Sequence, residues 1–224
     1  MDIPERNPGE TGRDYALRVI KDKIIQLDLQ PGSPVSDREL AAEMNLSRTP
    51  VREALLELAK VQIVEIYPQR GSAVALIDYE LVEEAQFVRS VLEDAVVQLD
   101  CERVTDEQLA ELEQNLQLQE FYCDHGASEK ALELDDAFHQ MLFQIAGKMQ
   151  AYRMMKSLTV HFDRVRTLAL NTVKDQKWLK DHRMILEAIK TRDPEMAKQV
   201  MDKHLSRYQV DEVEIQEAYP QFFK

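Results

Sequence analysis

Apolar side chains at Ala16, Leu17, Ile20, Ile24 and Leu27 recur at i, i+3, i+4 and i+7, the spacing of an amphipathic helix over residues 13–29. Gln30-Pro31-Gly32-Ser33-Pro34 stops it. Ser36 lies three residues before Glu39, a capping-box spacing that opens a short helix through Met44. Asn45-Leu46 makes a tight turn. Ser47 or Thr49 then caps a third helix, with Pro50 in its first turn, where the missing N–H costs nothing; it runs to about Lys60. Residues 63–67 and 72–76 alternate or run apolar around Pro68-Gln69-Arg70-Gly71, which predicts a β-hairpin. Three helices and a hairpin predict a winged helix-turn-helix over residues 12–76, preceded by a flexible polar tail at 1–11.

Beyond Asp78 the helical period continues nearly to the end of the chain. Breaks fall near Thr105, Gly126-Ala127-Ser128, Gly147, Asn171 and Asp193-Pro194, each offering a capping residue or a glycine. They predict six helices at about 79–101, 105–124, 128–146, 148–170, 174–190 and 194–216. Their spacing is too irregular for a solenoid. The expected fold is therefore mainly α: a winged helix-turn-helix followed, over 77–224, by an all-α antiparallel helical bundle.

Composition supports this, whereas the net charge at first argues against a nucleic-acid role. The 224 residues are 44% hydrophobic and 31% charged, with only six glycines and eight prolines, as suits helical globular domains. The net charge is −13. Residues 1–78, however, carry 10 Lys+Arg against 13 Asp+Glu, so the acidity lies mostly in the C-terminal part. A nearly neutral first domain can still present a basic face, and local charge decides phosphate contact. Cys101 and Cys123 form no metal or redox motif and read as two reduced thiols. No apolar signal-peptide core and no run approaching ~20 apolar residues occurs, so a cytoplasmic protein without a membrane partner is expected.

In a helix-turn-helix the N-terminal end of the second helix of the motif meets base edges in the major groove. Here that end reads Ser47-Arg48-Thr49-Pro50-Val51-Arg52-Glu53. Arg48 and Arg52 are four apart and share a face; an arginine fork can pair with guanine O6 and N7 or hold phosphates. Ser47 and Thr49 can donate to phosphate, and Arg38 stands one helix earlier, in reach of the backbone. Arg70 and Gly71 form the wing tip, where glycine permits close approach to a groove. Leu40-Ala41, the segment from Ser47 to Leu55, and Pro68-Gln69-Arg70-Gly71 together resemble the GntR family of bacterial transcription regulators. The resemblance implies that Arg38, Arg48, Thr49, Arg52 and Gly71 touch DNA. One departure is Gln62, where the family usually has glycine before the first wing strand.

A second constellation lies in the bundle. Asp135 and His139 are four apart and project from one helix face, beside Leu132, Leu142 and Phe143. A buried carboxylate and imidazole need a partner, and a cation satisfies both. His182 and His204 each sit next to the apolar stripe of a later helix, so three helices could converge on an Asp-His-His-His site for a divalent transition metal. Leu134-Asp135-Asp136-Ala137-Phe138-His139, with the two later histidines, is similar to the FCD effector domain of the FadR subfamily of GntR regulators, and residues 87–93 resemble its first helix. The resemblance implies a metal held by Asp135, His139, His182 and His204. Zn comes first, with Ni, Mn or Fe as alternatives. It also implies a small organic-acid effector whose carboxylate meets the metal, with Arg89 as the assisting arginine. The alternative for Arg89 is a salt bridge with Glu93, four residues on. His161 and Arg164 are weaker candidates for lining the same cavity, and His125 reads as solvated.

The expected function is a ligand-responsive transcription regulator, not an enzyme. It would act as a repressor and as a homodimer on a near-palindromic double-stranded DNA operator. Two alternatives stand beside it. A metal-dependent hydrolase or lyase with a DNA-binding appendage fits the ligand set, although no general base of the His-Glu-x-x-His kind lies beside it. An acyl-chain binder without metal is disfavoured by the complete ligand set.

Overall fold

A computed structural model describes residues 3–172 and 177–224. Eleven α-helices are seen among them, and the chain divides into two compact units. The first takes in residues up to Val82, Val160–Leu168 and Gln216–Lys224; the second takes in Glu83–Thr159 and Ala169–Ile215.

The first unit contains α1 (Gly12–Ile25), β1 (Pro34–Val35), α2 (Asp37–Glu43), α3 (Arg48–Lys60), β2 (Val64–Tyr67) and β3 (Gly71–Val74). Thr11 caps α1, and Ser36 caps α2 by accepting from Glu39 N at 3.2 Å. Ser47 is the N-cap residue of α3 without a side-chain cap bond. Asn45, between α2 and α3, takes a left-handed φ of 52°, which asparagine tolerates better than most residues. Val19, Ile20, Ile24, Val51, Leu55 and Leu58 pack between α1 and α3. The sheet is antiparallel in the order β1-β3-β2, with Val64 opposite Val74 and Tyr67 opposite Gly71. The wing is thus three-stranded. The two-residue β1 contains Pro34 and carries no strand signal of its own; it pairs only because the stop after α1 brings it beside β3.

Residues expected as a loose tail are tied down. Tyr15 donates to Pro4 O at 3.0 Å, and Arg18 grips the Glu10 carboxylate at 2.8 and 2.9 Å, because α1 presents both side chains to the segment preceding it. Near the other end of the chain, Ile77 N donates to Phe222 O at 2.8 Å, Lys224 N donates to Ile77 O at 3.0 Å, and Tyr79 stacks on Phe223.

Where six helices were expected after residue 77, eight are seen among the described residues: α4 (Tyr79–Arg103), α5 (Asp106–Asp124), α6 (Ser128–Ile145), α7 (Met149–Leu158), α8 (Val160–Thr172), α9 (Lys177–Lys190), α10 (Pro194–Leu205) and α11 (Tyr208–Ala218). The expected start of α9 at 174 lies outside the described residues. Two expected helices are each broken in two. One breaks at Thr159, a buried β-branched residue where the chain passes from one compact unit to the other. The other breaks at Ser206-Arg207, where the Ser206 hydroxyl donates back to Lys203 O at 3.1 Å and competes with the helical ladder. Gly147, at a φ of +71°, ends α6 where the sequence places a break, and Lys148 N closes the turn onto Phe143 O. In the second unit α5 packs on α6 and α9, and α9 on α10. Leu112, Leu116, Phe138, Leu142, Phe143 and Ile185 fill the space between. Each fully buried side chain of this size contributes about 1.5–3 kcal/mol relative to exposure.

Candidate functional sites

The residues expected to meet DNA lie in the first unit. Arg38, Ser47, Arg48, Thr49, Arg52, Arg70 and Gly71 are all exposed. Val51, Ala54, Leu55 and Leu58 bury the opposite face of α3, which turns Arg48 and Arg52 outward. Arg48 Nη2 donates to both oxygens of Asp37 at 3.0 and 2.9 Å, an ion pair between α3 and α2 that the sequence reading missed. Gly71 starts β3 at a φ of +97°, a conformation open to glycine and strained for other residues. Gln62, which replaces the usual glycine, takes a φ of 58° in the turn from α3 into β2. The substitution therefore keeps the left-handed turn and adds a side chain to it.

His161 and Arg164, considered as cavity-lining residues, belong to the first unit instead. His161 Nε2 donates to Val61 O, at the end of α3, at 2.8 Å. Its Nδ1 accepts from Arg164 Nη2 at 3.2 Å, and Arg164 Nη1 donates to Ala75 O, just after β3, at 2.7 Å. The two side chains thus bond each other and the backbone at the end of α3 and just after β3. Burial pushes the His161 imidazole down to about 4 and the Arg164 guanidinium down to about 10.

In the second unit the structure brings Asp135 and His139 of α6, His182 of α9 and His204 of α10 to one point. One ligand atom from each lies within 4.8 Å of all the others, and all four residues are buried. His204 Nε2 is 3.3 Å from both His139 Nε2 and His182 Nε2; Asp135 Oδ1 is 3.4 Å from His182 Nε2 and 3.9 Å from His139 Nε2. Ligand atoms about 2.0–2.2 Å from a shared tetrahedral ion stand roughly 3.3–3.6 Å apart, so most of these separations suit neighbours around one cation. Hydrogen bonding explains them less well, because one proton on His204 Nε2 cannot serve two nitrogens. Burial, opposed by Asp135, pushes His182 down to about 3, and burial with the neighbouring imidazoles pushes His204 well below its ordinary value. Both are held as neutral imidazoles, the form that ligates metal. The donor set could therefore hold a metal ion.

The far sides of two imidazoles are engaged. His139 Nδ1 meets the Glu93 carboxylate, and His182 Nδ1 lies 2.9 Å from Gln119 Oε1. Arg89 Nε is bonded to Glu93 Oε1 at 2.6 Å, the salt bridge given as the alternative reading for this arginine. Burial alone would raise the Glu93 carboxyl, but Arg89 and His139 hold it down to about 2. Gln119 was not singled out in the sequence, and Glu93 only as the salt-bridge partner of Arg89, not as a partner of His139. The signal that could have found them is helical spacing, since each falls beside its helix's apolar stripe. His125 is exposed, stacked on Phe121. Cys101 and Cys123 are free thiols. Among the described residues no helix is long and apolar enough to cross a membrane.

Comparison with known proteins agrees with both halves. The family model of bacterial regulatory proteins of the gntR family matches residues 16–74, and that of the FCD domain matches residues 84–207. The chain is 34% identical over 200 residues to the HTH-type transcriptional repressor RspR of Escherichia coli (strain K12), covering 89% of this chain and 88% of that one. It is 33% identical over 225 residues to an HTH-type transcriptional regulator of Streptomyces ambofaciens, covering 96% and 91%. Among solved structures, E. coli McbR/YncC shares the fold with a TM-score of 0.79 at 21% identity, covering 93% of this chain and 99% of that one. These relatives are regulators, which sets aside the hydrolase and lyase alternative. The chain belongs to the GntR family of DNA-binding transcription regulators, with an FCD domain following its winged helix.

Proposed function

We propose that this regulator is a cytoplasmic homodimeric repressor whose operator affinity is set by a small carboxylate bound at a divalent metal site in the second unit. The observation that carries the proposal is the convergence of Asp135, His139, His182 and His204 on one buried point. A divalent ion held there would supply positive charge, and one that takes more than four ligands would leave a coordination position for a carboxylate. The chain's own residues do the rest. Burial keeps the His182 and His204 imidazoles neutral, Glu93 anchors His139, and Arg89 adds a cation close to where the effector's carboxylate would lie.

Operator reading falls to Arg48 and Arg52 at base edges, with Arg38, Ser47 and Thr49 on phosphates and Arg70 and Gly71 at the wing. The name of RspR supports a repressor. A dimer is the arrangement that places two such heads on the two halves of a near-palindromic site. The test is elemental analysis of untagged protein purified without chelators. About one divalent ion per chain is expected in the parent, and a marked loss in His139→Ala and His182→Ala. Equal metal in parent and variants would remove the proposal.

A further inference from the structure

His182 can ligate a metal through Nε2 in only one of its two neutral tautomers. An imidazole offers Nε2 to a cation only when its proton sits on Nδ1, and a fully buried ring needs something to enforce that choice. Beside the ring lies a buried pair of amides on α5. Gln119 is 0% exposed and Asn115 is 7% exposed, four residues apart on one face. Gln119 Nε2 donates to Asn115 Oδ1 at 2.6 Å and to Leu134 O at 3.1 Å, and Asn115 Nδ2 donates to Leu134 O at 3.1 Å.

Leu134 O is a carbonyl and can only accept, so both amides must turn a nitrogen toward it. If Gln119 were flipped, its oxygen would face two oxygens, Leu134 O and Asn115 Oδ1. The network therefore fixes Gln119 Oε1 on the His182 side, 2.9 Å from Nδ1. An amide oxygen accepts and cannot donate, so His182 Nδ1 must carry the proton and Nε2 is left with its lone pair toward Asp135 and His204. Phe138 stacks on the same ring at 4.4 Å and limits its rotation. The residue after Leu134 is Asp135. The same amides thus hold the α6 backbone beside one ligand and the imidazole of another.

We infer that Gln119, oriented by Asn115 and Leu134 O, is a positioning residue that locks His182 in the Nδ1–H tautomer and so presets the metal cage before any ion arrives. The inference rests on the metal reading for its purpose, but the tautomer is a property of the metal-free protein and can be measured separately. Long-range 1H–15N correlation spectra of full-length, metal-stripped protein near pH 8 should show His182 protonated on Nδ1. Protonation on Nε2 in the parent overturns the inference, whatever the variants do. In Gln119→Leu the tautomers should mix, and Zn affinity, read by competition with a chromophoric chelator, should fall about 10–100-fold. Gln119→Glu keeps an acceptor toward Nδ1 and should keep the tautomer, but its second oxygen faces Leu134 O and Asn115 Oδ1, so it should recover only part of the affinity. A Gln119→Leu protein that folds with His182 still on Nδ1 and Zn affinity unchanged contradicts the role. If the parent shows Nδ1–H but takes up no metal, the metal proposal fails while the assignment of Gln119 stands.

Discussion

Removing one ligand of the buried cluster should abolish the protein's stabilisation by divalent metal. Without an ion, the second unit buries a carboxylate and three imidazoles whose Nε2 atoms approach to 3.3 Å. Such groups are costly when their lone pairs face each other in a dry interior. An ion that binds only the folded chain adds RT ln(1 + [L]/Kd), about 2.7 kcal/mol at a hundredfold excess over Kd. For a chain of this size, 1 kcal/mol moves Tm by about 2–4 °C, so Zn should raise the transition of the second unit by roughly 5–11 °C.

Asp135→Asn is the sharpest perturbation. It preserves shape and removes the anion that neutralises the cation, and His182→Ala removes a second ligand. Differential scanning fluorimetry of chelator-treated protein, with and without added Zn, reads the shift in each. The quantity to compare is the metal-induced shift rather than absolute Tm, because His182→Ala also leaves Gln119 Oε1 without its donor and opens a space against Phe138. The shift should fall to within a degree or so of zero in both variants. A shift in His182→Ala as large as that of the parent would refute the argument that these four side chains form the site.

Other consequences can be measured on the same protein. On an operator selected from random DNA by the parent, Arg52→Ala and Arg48→Ala should each cost about 1–3 kcal/mol and relax sequence preference at the bases they meet; a uniform loss across sequences would reassign them to phosphates. Asp100 is buried on α4 with neither carboxyl oxygen hydrogen-bonded, and burial pushes it up to about 8. Its folded value lies above its unfolded one, so it costs stability progressively as pH rises from about 4 to 8. Asp100→Asn should therefore be more stable by about 1–3 kcal/mol at pH 8 and gain little at pH 4, as urea titrations would show. His161 works in the opposite direction. Its folded value of about 4 lies below the unfolded 6.5, so the unfolded chain takes the proton first and stability is lost as pH falls from about 6.5 to 4. In His161→Gln that acid-side slope should flatten, and an unchanged slope would mean that another group carries it.

The winged helix was readable because its signals are local. Ser36 caps where the spacing with Glu39 places it, Asn45 turns, and Gly71 takes the φ that its position in the wing requires. Strand β1 was not readable, since two residues with a proline have no period and exist as a strand only through β3. Nor were the breaks at Thr159 and Ser206-Arg207, where neither glycine nor proline interrupts an apolar stripe. The joining of residues 160–168 and 216–224 to the first unit is tertiary, set by bonds such as Arg164 to Ala75 O across 89 residues. In the second unit Asp135 and His139 share a face by spacing alone, whereas their meeting with His182 and His204 depends on how α6, α9 and α10 pack. Glu93, Asn115 and Gln119 are polar residues on long helices, and only the fold distinguishes a buried anchor from a solvated side chain.

The central claim is that metal-site chemistry sets operator affinity. Fluorescence anisotropy with a selected operator, on metal-loaded parent and on His182→Ala, across a panel of small mono- and dicarboxylates, tests it most directly. At least one carboxylate should weaken operator binding of the parent by a factor of about 5–150, the usual range of coupling between two sites, and leave His182→Ala unaffected. A carboxylate that shifts the operator affinity of both proteins equally, or a panel that shifts neither while a metal-independent ligand does, would contradict the account.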